Sequence, residues 1–136
     1  MAASTAEIQI LKQNENIVSF KVVGTGEETA ATLIDASTLT GATGISNLLS
    51  ITKLDWSINA DQSVTLLWEG GSTNVNIMKM SRSGKLYLDR ELNSKLSNNA
   101  SAPTGDILVS STSGVYTLFF EAEKTGSGWT KLGQYN

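Results

Sequence analysis

Short runs of alternating apolar and polar residues recur through this chain, and that period of two decides its fold class. Val18, Phe20 and Val22 alternate with Ser19 and Lys21. Leu54, Trp56 and Ile58 alternate with Lys53, Asp55 and Ser57; Val64, Leu66 and Trp68 alternate with Ser63, Thr65 and Glu69. Near the end, Tyr116, Leu118 and Phe120 face one way while Thr117, Glu121 and Glu123 face the other. Successive strand residues point to opposite faces, so each run is a strand with one face in a core and one toward water.

Weaker runs at 8–12, 30–35, 75–80, 85–89 and 106–111 bring the expected count to eight or nine strands. Turn chemistry separates them: Asn14-Glu15-Asn16, Gly24-Thr25-Gly26, Asn59-Ala60-Asp61, Gly70-Gly71, Ser83-Gly84 and Ser113-Gly114. The runs on either side of Asn59-Ala60-Asp61 read as a hairpin. Leu88, Leu92 and Leu96 stand four apart, which predicts at most one short helix near 90–97, capped by Asp89. Residues 97–104 form the longest polar loop and hold the single Pro.

Ser, Thr and Asn make up 42 of the 136 residues. These residues disfavour helix interiors, through competing local hydrogen bonds or β-branching. The expected architecture is all-β: one antiparallel sandwich or partly closed barrel. Residues 1–6 read as a flexible arm that orders on a partner, and 7–136 as a single β domain.

Function is bounded mainly by what the residue types exclude. With no Cys, the chain has no disulfide, thiolate ligand or thiol nucleophile; with no His, it lacks the commonest general base and metal ligand. The expectation is a protein that is not an enzyme and needs no cofactor or metal. Thirteen acidic residues against ten basic ones, without a basic block, argue against nucleic acid. No apolar run approaches a membrane span, and the first residues lack a signal-peptide pattern. The chain is therefore expected to be made in a cytoplasm and to stay soluble there.

Carboxylates are the remaining acid–base material. Asp35, Asp55, Asp61, Glu69, Asp106, Glu121 and Glu123 fall at strand ends or on polar faces, where solvated carboxylates normally sit. Glu27, Glu28, Glu121 and Glu123 do not form a regular calcium loop. Gly24-Thr25-Gly26 and Ser83-Gly84-Lys85 lack the glycine pattern and following helix of a phosphate loop.

Some apolar residues break the pattern. Leu11, Leu67 and Phe119 fall on the polar side of their strands, and either a segment of this chain or another subunit must cover such groups. Trp56 and Trp68 are in register with the core. Trp129, between Gly128 and Thr130, either closes one end of the domain or docks on a neighbour; Tyr135 lies farther along the same tail. The interface candidates are Leu11, Leu67, Phe119, Trp129 and Tyr135.

Thr104-Gly105-Asp106-Ile107-Leu108-Val109-Ser110-Ser111-Thr112 is followed by Tyr116-Thr117-Leu118 and Glu121-x-Glu123-Lys124. Upstream stand Lys53 to Trp56 and Val64-Thr65-Leu66-Leu67-Trp68-Glu69. Over roughly residues 50–124 these resemble small β-rich virion structural proteins of tailed bacteriophages. The resemblance implies a capsid decoration or cement protein on the outside of the virion, binding the major capsid protein. It also implies a homo-oligomer, with a trimer favoured over a dimer because three-fold lattice points suit one. A carbohydrate-binding β-sandwich of a tail, fibre or adsorption apparatus is the alternative.

Overall fold

The computed structural model describes residues 3–88 and 93–130. Among the described residues, nine strands form two antiparallel sheets facing each other. In chain order they are β1 (Glu7–Gln13), β2 (Ile17–Thr25), β3 (Glu28–Ile34), β4 (Leu48–Ile58), β5 (Ser63–Trp68), β6 (Val75–Ser81), β7 (Ser83–Tyr87), β8 (Ile107–Ser111) and β9 (Val115–Thr125). One sheet has the order β1-β2-β9-β4-β7, the other β3-β8-β5-β6. The all-β expectation holds, and of its two forms the fold is the sandwich.

The alternating runs supply the core. Val18, Phe20 and Val22 of β2 and Leu118, Phe120 and Ala122 of β9 are buried from the five-stranded side. Val64, Leu66 and Trp68 of β5, with Ile107 and Val109 of β8, meet them from the other. Phe20 and Phe120 are register partners whose ring centroids lie 5.0 Å apart. Each such side chain contributes about 1.5–3 kcal/mol through burial.

The hairpin expected around Asn59-Ala60-Asp61 does not form. β4 pairs with β9 and β7, whereas β5 pairs with β6 and β8 in the opposite sheet. The tight turn, in which Gln62 N donates to Asn59 O at 3.0 Å, carries the chain across the sandwich. Alternation shows which face of a strand is apolar. It does not distinguish two strands side by side from two facing across a core.

Two turn assignments also shift. Gly24 and Gly84 lie inside β2 and β7 rather than between strands, and the bend before β7 falls on Arg82, with φ 59°. Each glycine pairs across the sheet with an aromatic residue: Gly24 with Tyr116 and Gly84 with Trp56. A Cβ on Gly24 would stand 2.2 Å from Tyr116 Cζ, and one on Gly84 would stand 2.5 Å from Trp56 Cζ2. The missing side chains are the space these rings occupy.

Of the helix expected near 90–97, residues 90–92 lie outside the described residues. Beyond them Leu96 is extended, exchanging two backbone hydrogen bonds with Ile51 at 2.8 and 2.9 Å. A short 3-10 turn instead spans Ala36–Thr38, capped by the Asp35 carboxylate, which accepts from Ser37 N at 3.1 Å. Ala3 to Ala6, within the segment expected as an arm, lie beside β3. Ser4 N donates to Thr32 O at 2.8 Å, and the Glu28 carboxylate accepts from Ser4 Oγ and Thr5 N.

Candidate functional site

The exposed side of the five-stranded sheet carries the polar halves of the alternating runs, and they fall into register. Lys53 of β4 stands between Glu121 of β9 and Tyr87 of β7. One step along, Asp55 is opposite Phe119, which pairs in turn with Lys21 of β2. Between these rows runs an open groove of about 310 Å³, lined by Leu11, Ser19, Lys53, Asp55, Tyr87, Phe119 and Glu121 together with Leu54 and Phe120.

Leu11 enters the groove because β1 is bulged. Ile10 pairs with Phe20 and Lys12 with Ser19, so Leu11 is the additional residue between them. It is 50% exposed and Phe119 is 42% exposed. The groove thus combines two apolar groups open to water, a phenol ring, and charges of both signs. Lys53 Nζ approaches Glu121 Oε1 at 3.9 Å, and Thr52 Oγ1 donates to the same oxygen at 3.0 Å. Such a surface can bind through apolar contact and take its register from the charges around it.

The five sequence-derived candidates separate on the structure. Leu11 and Phe119 come together in this groove. Leu67 lies half-buried on the outward face of the other sheet, opposite a fully buried Leu108, so the chain itself covers part of that face. Trp129 closes the domain and is withdrawn as a docking residue. It is 6% exposed, belongs to the core cluster, and donates its indole N–H to Leu48 O and Thr125 O at 3.0 and 2.6 Å. Tyr135 lies outside the described residues.

Sequence reasoning missed Tyr87, Lys53 and Glu121 as companions of Phe119. Lys53 and Glu121 already fell on the polar sides of their runs, whereas Tyr87 stood in the weaker run 85–89, to which no face was assigned. What was missing was the strand order, because β4, β7 and β9 become neighbours only through long-range pairing.

A second cluster joins carboxylates at one end of the sandwich. Asp106 Oδ1 accepts from Ala36 N at 3.1 Å. Burial, opposed by that hydrogen bond and reinforced by the nearby charges of Asp35 and Glu69, raises the Asp106 pKa from 3.8 to about 6. Among the described residues, no group of three or more acidic side chains is arranged to hold a metal ion. No described helix is long and apolar enough to cross a membrane.

No protein-family model matches this sequence, and no curated protein does. Among solved structures the chain is similar to a cupin domain from Bordetella pertussis Tohama I. The likeness has 13% identity and a TM-score of 0.36, over 93% of this chain and 99% of that one. At that level of similarity nothing about chemistry transfers.

Proposed function

We propose that this protein is a non-enzymatic structural component of a phage virion, docking on the outside of the assembled head as a decoration protein. The observation that carries the docking surface is the pair Leu11 and Phe119. Two apolar side chains, 50% and 42% exposed, flank one groove on a sheet face that otherwise carries polar groups. The assignment to a virion comes from the sequence resemblance over residues 50–124.

In this mechanism the apolar pair supplies most of the contact energy, and Lys53, Asp55 and Glu121 fix the register. Binding only the assembled shell stabilises that shell by mass action, and a repeating lattice multiplies a modest affinity per contact. Co-sedimentation of the purified protein with heads lacking it tests the surface. Phe119→Ser and Leu11→Ser should each weaken binding about tenfold or more, while Ile45→Ser, on a distant exposed residue, leaves it unchanged. Unaltered binding by both groove variants would remove this face from the interface.

One observation favours a second reading. Tyr87 and Asp55 line the same groove, and a ring and a carboxylate in one groove are the groups that a sugar-stacking site needs. Glycan binding abolished by Tyr87→Ala would establish that alternative. A glycan array without hits would dismiss it.

A further inference from the structure

The four sheet edges differ in how they are protected against pairing with another chain. The β3 edge carries a bridge from Ala3 and is irregular in register, with Ala30 at φ 45°. β7 has only five residues, and β6 carries an exposed Lys79. β1 carries its own exposed Lys12 and a bulge, but it differs from those three edges in exposing large apolar side chains, with Ile8, Ile10 and Leu11 at 40%, 45% and 50% exposure. Ile8 and Ile10 are register partners of Val22 and Phe20, which are 0% and 1% exposed. The two isoleucines therefore share the core-facing side of the sheet yet remain open at its edge.

We propose that β1 pairs with β1 of a second copy, antiparallel about a two-fold axis at Gln9. An edge strand directs the N–H and C=O groups of alternate residues away from its sheet, and a matching strand satisfies them. In the register centred on Gln9, Ile8 of each copy lies opposite Ile10 of the other, on the core-facing side. This buries the exposed isoleucines against each other. On the opposite face, where Glu7 pairs with Val23 and Lys12 with Ser19, the bulge at Leu11 has a consequence. It lets Glu7 of one copy meet Lys12 of the other, twice across the axis.

The strand is thus self-complementary in apolar pattern and in charge, as an isologous contact requires. The pairing would join two five-stranded sheets into one continuous sheet. Of the residues lining the groove, Leu11 alone lies on the paired strand.

The test is sedimentation equilibrium of the full chain from about 1 μM to about 1 mM. The expected mass is that of a dimer at the upper end. Ile8→Lys places a charge in the paired strip and should leave a folded monomer. Glu7→Lys, setting like charges opposite each other, should weaken dimerisation roughly tenfold. Lys12→Glu added to Glu7→Lys should restore it to within about threefold. That rescue separates self-pairing from a mere loss of folding. A wild-type monomer throughout, a trimer, or a dimer indifferent to both Ile8→Lys and Glu7→Lys would overturn the proposal.

Discussion

Lys124 Nζ lies 5.3 Å from the centre of the Trp129 ring, with both side chains buried. The ammonium also donates to Asn14 O and Thr40 O, each at 2.8 Å, and to Gln13 Oε1 at 3.1 Å. It thereby ties the β1–β2 turn and the loop after Ala36–Thr38 to the end of β9. Trp129 in turn satisfies two carbonyls with one N–H. Lys124→Met should cost about 2–4 kcal/mol, because it removes the three hydrogen bonds that this buried ammonium donates. Trp129→Leu should cost about 3 kcal/mol. In a double-mutant cycle read by urea unfolding, a coupling of about 1 kcal/mol is expected from the cation over the ring.

The glycines beneath aromatic rings give a second prediction. Gly24→Ala places a Cβ inside the Tyr116 ring, and Gly84→Ala places one against Trp56. Each should destabilise by about 1–3 kcal/mol, the range for overpacking. In a Tyr116→Leu background, the Gly24→Ala penalty should fall. An undiminished penalty would show that the strand backbone, rather than the ring, resists the methyl group.

Asp106 predicts a pH dependence whose sign follows from its raised value. The folded pKa of about 6 lies above the ordinary 3.8, so between those values the folded chain holds a proton that the unfolded chain has released. The stabilisation from this group is complete below 3.8 and is lost as pH rises through about 6. Asp106→Asn retains an oxygen for Ala36 N and removes the titration. Relative to wild type, it should gain about 1 kcal/mol on going from pH 4 to pH 8, a figure reduced for solvent screening. Urea midpoints at the two pH values measure it, and an equal difference at both would contradict the assignment.

Phe119→Ser and Leu11→Ser test whether the groove is kept for binding or for folding. Both side chains are substantially exposed, so thermal unfolding should change little, by about 0.5 kcal/mol or less. A loss of several kcal/mol would make them structural residues.

The sequence carries the faces of the strands more clearly than their order. Parity assigned Val18, Phe20, Val22, Val64, Leu66, Trp68, Leu118 and Phe120 to the core, and all are buried. Bulges hide continuity from such reasoning. In β4 the pairing with β9 slips between Ile51 and Lys53, so the core-facing parity changes from Leu49 and Ile51 to Leu54 and Ile58. The alternation therefore seemed to begin at Lys53, although the strand begins at Leu48. A slip of the same kind at Leu11 explains why an apolar side chain stands on a polar face.

The glycines failed for a different reason. Gly24 and Gly84 look like turn residues when only neighbours in sequence are considered, and their real partners, Tyr116 and Trp56, are distant in the chain. Half of the candidate surface was legible in the same limited way. Leu11 and Phe119 announced themselves by breaking parity, whereas Tyr87, Lys53 and Glu121 joined them only through the order β1-β2-β9-β4-β7. Trp129 was ambiguous because the two carbonyls that hold its indole N–H belong to Leu48 and Thr125, and hydrogen bonds of that kind leave no trace in hydrophobic pattern.

As a decoration protein, this domain would be a stoichiometric part of a phage head. Quantitative mass spectrometry of gradient-purified particles from the source of the gene, counting copies per major capsid subunit, tests it most directly. Hundreds of copies per particle, on the order of the number of capsid subunits or lattice points, are expected for a lattice-decorating protein. A count of zero would contradict the virion reading, and a handful of copies would contradict decoration of the shell.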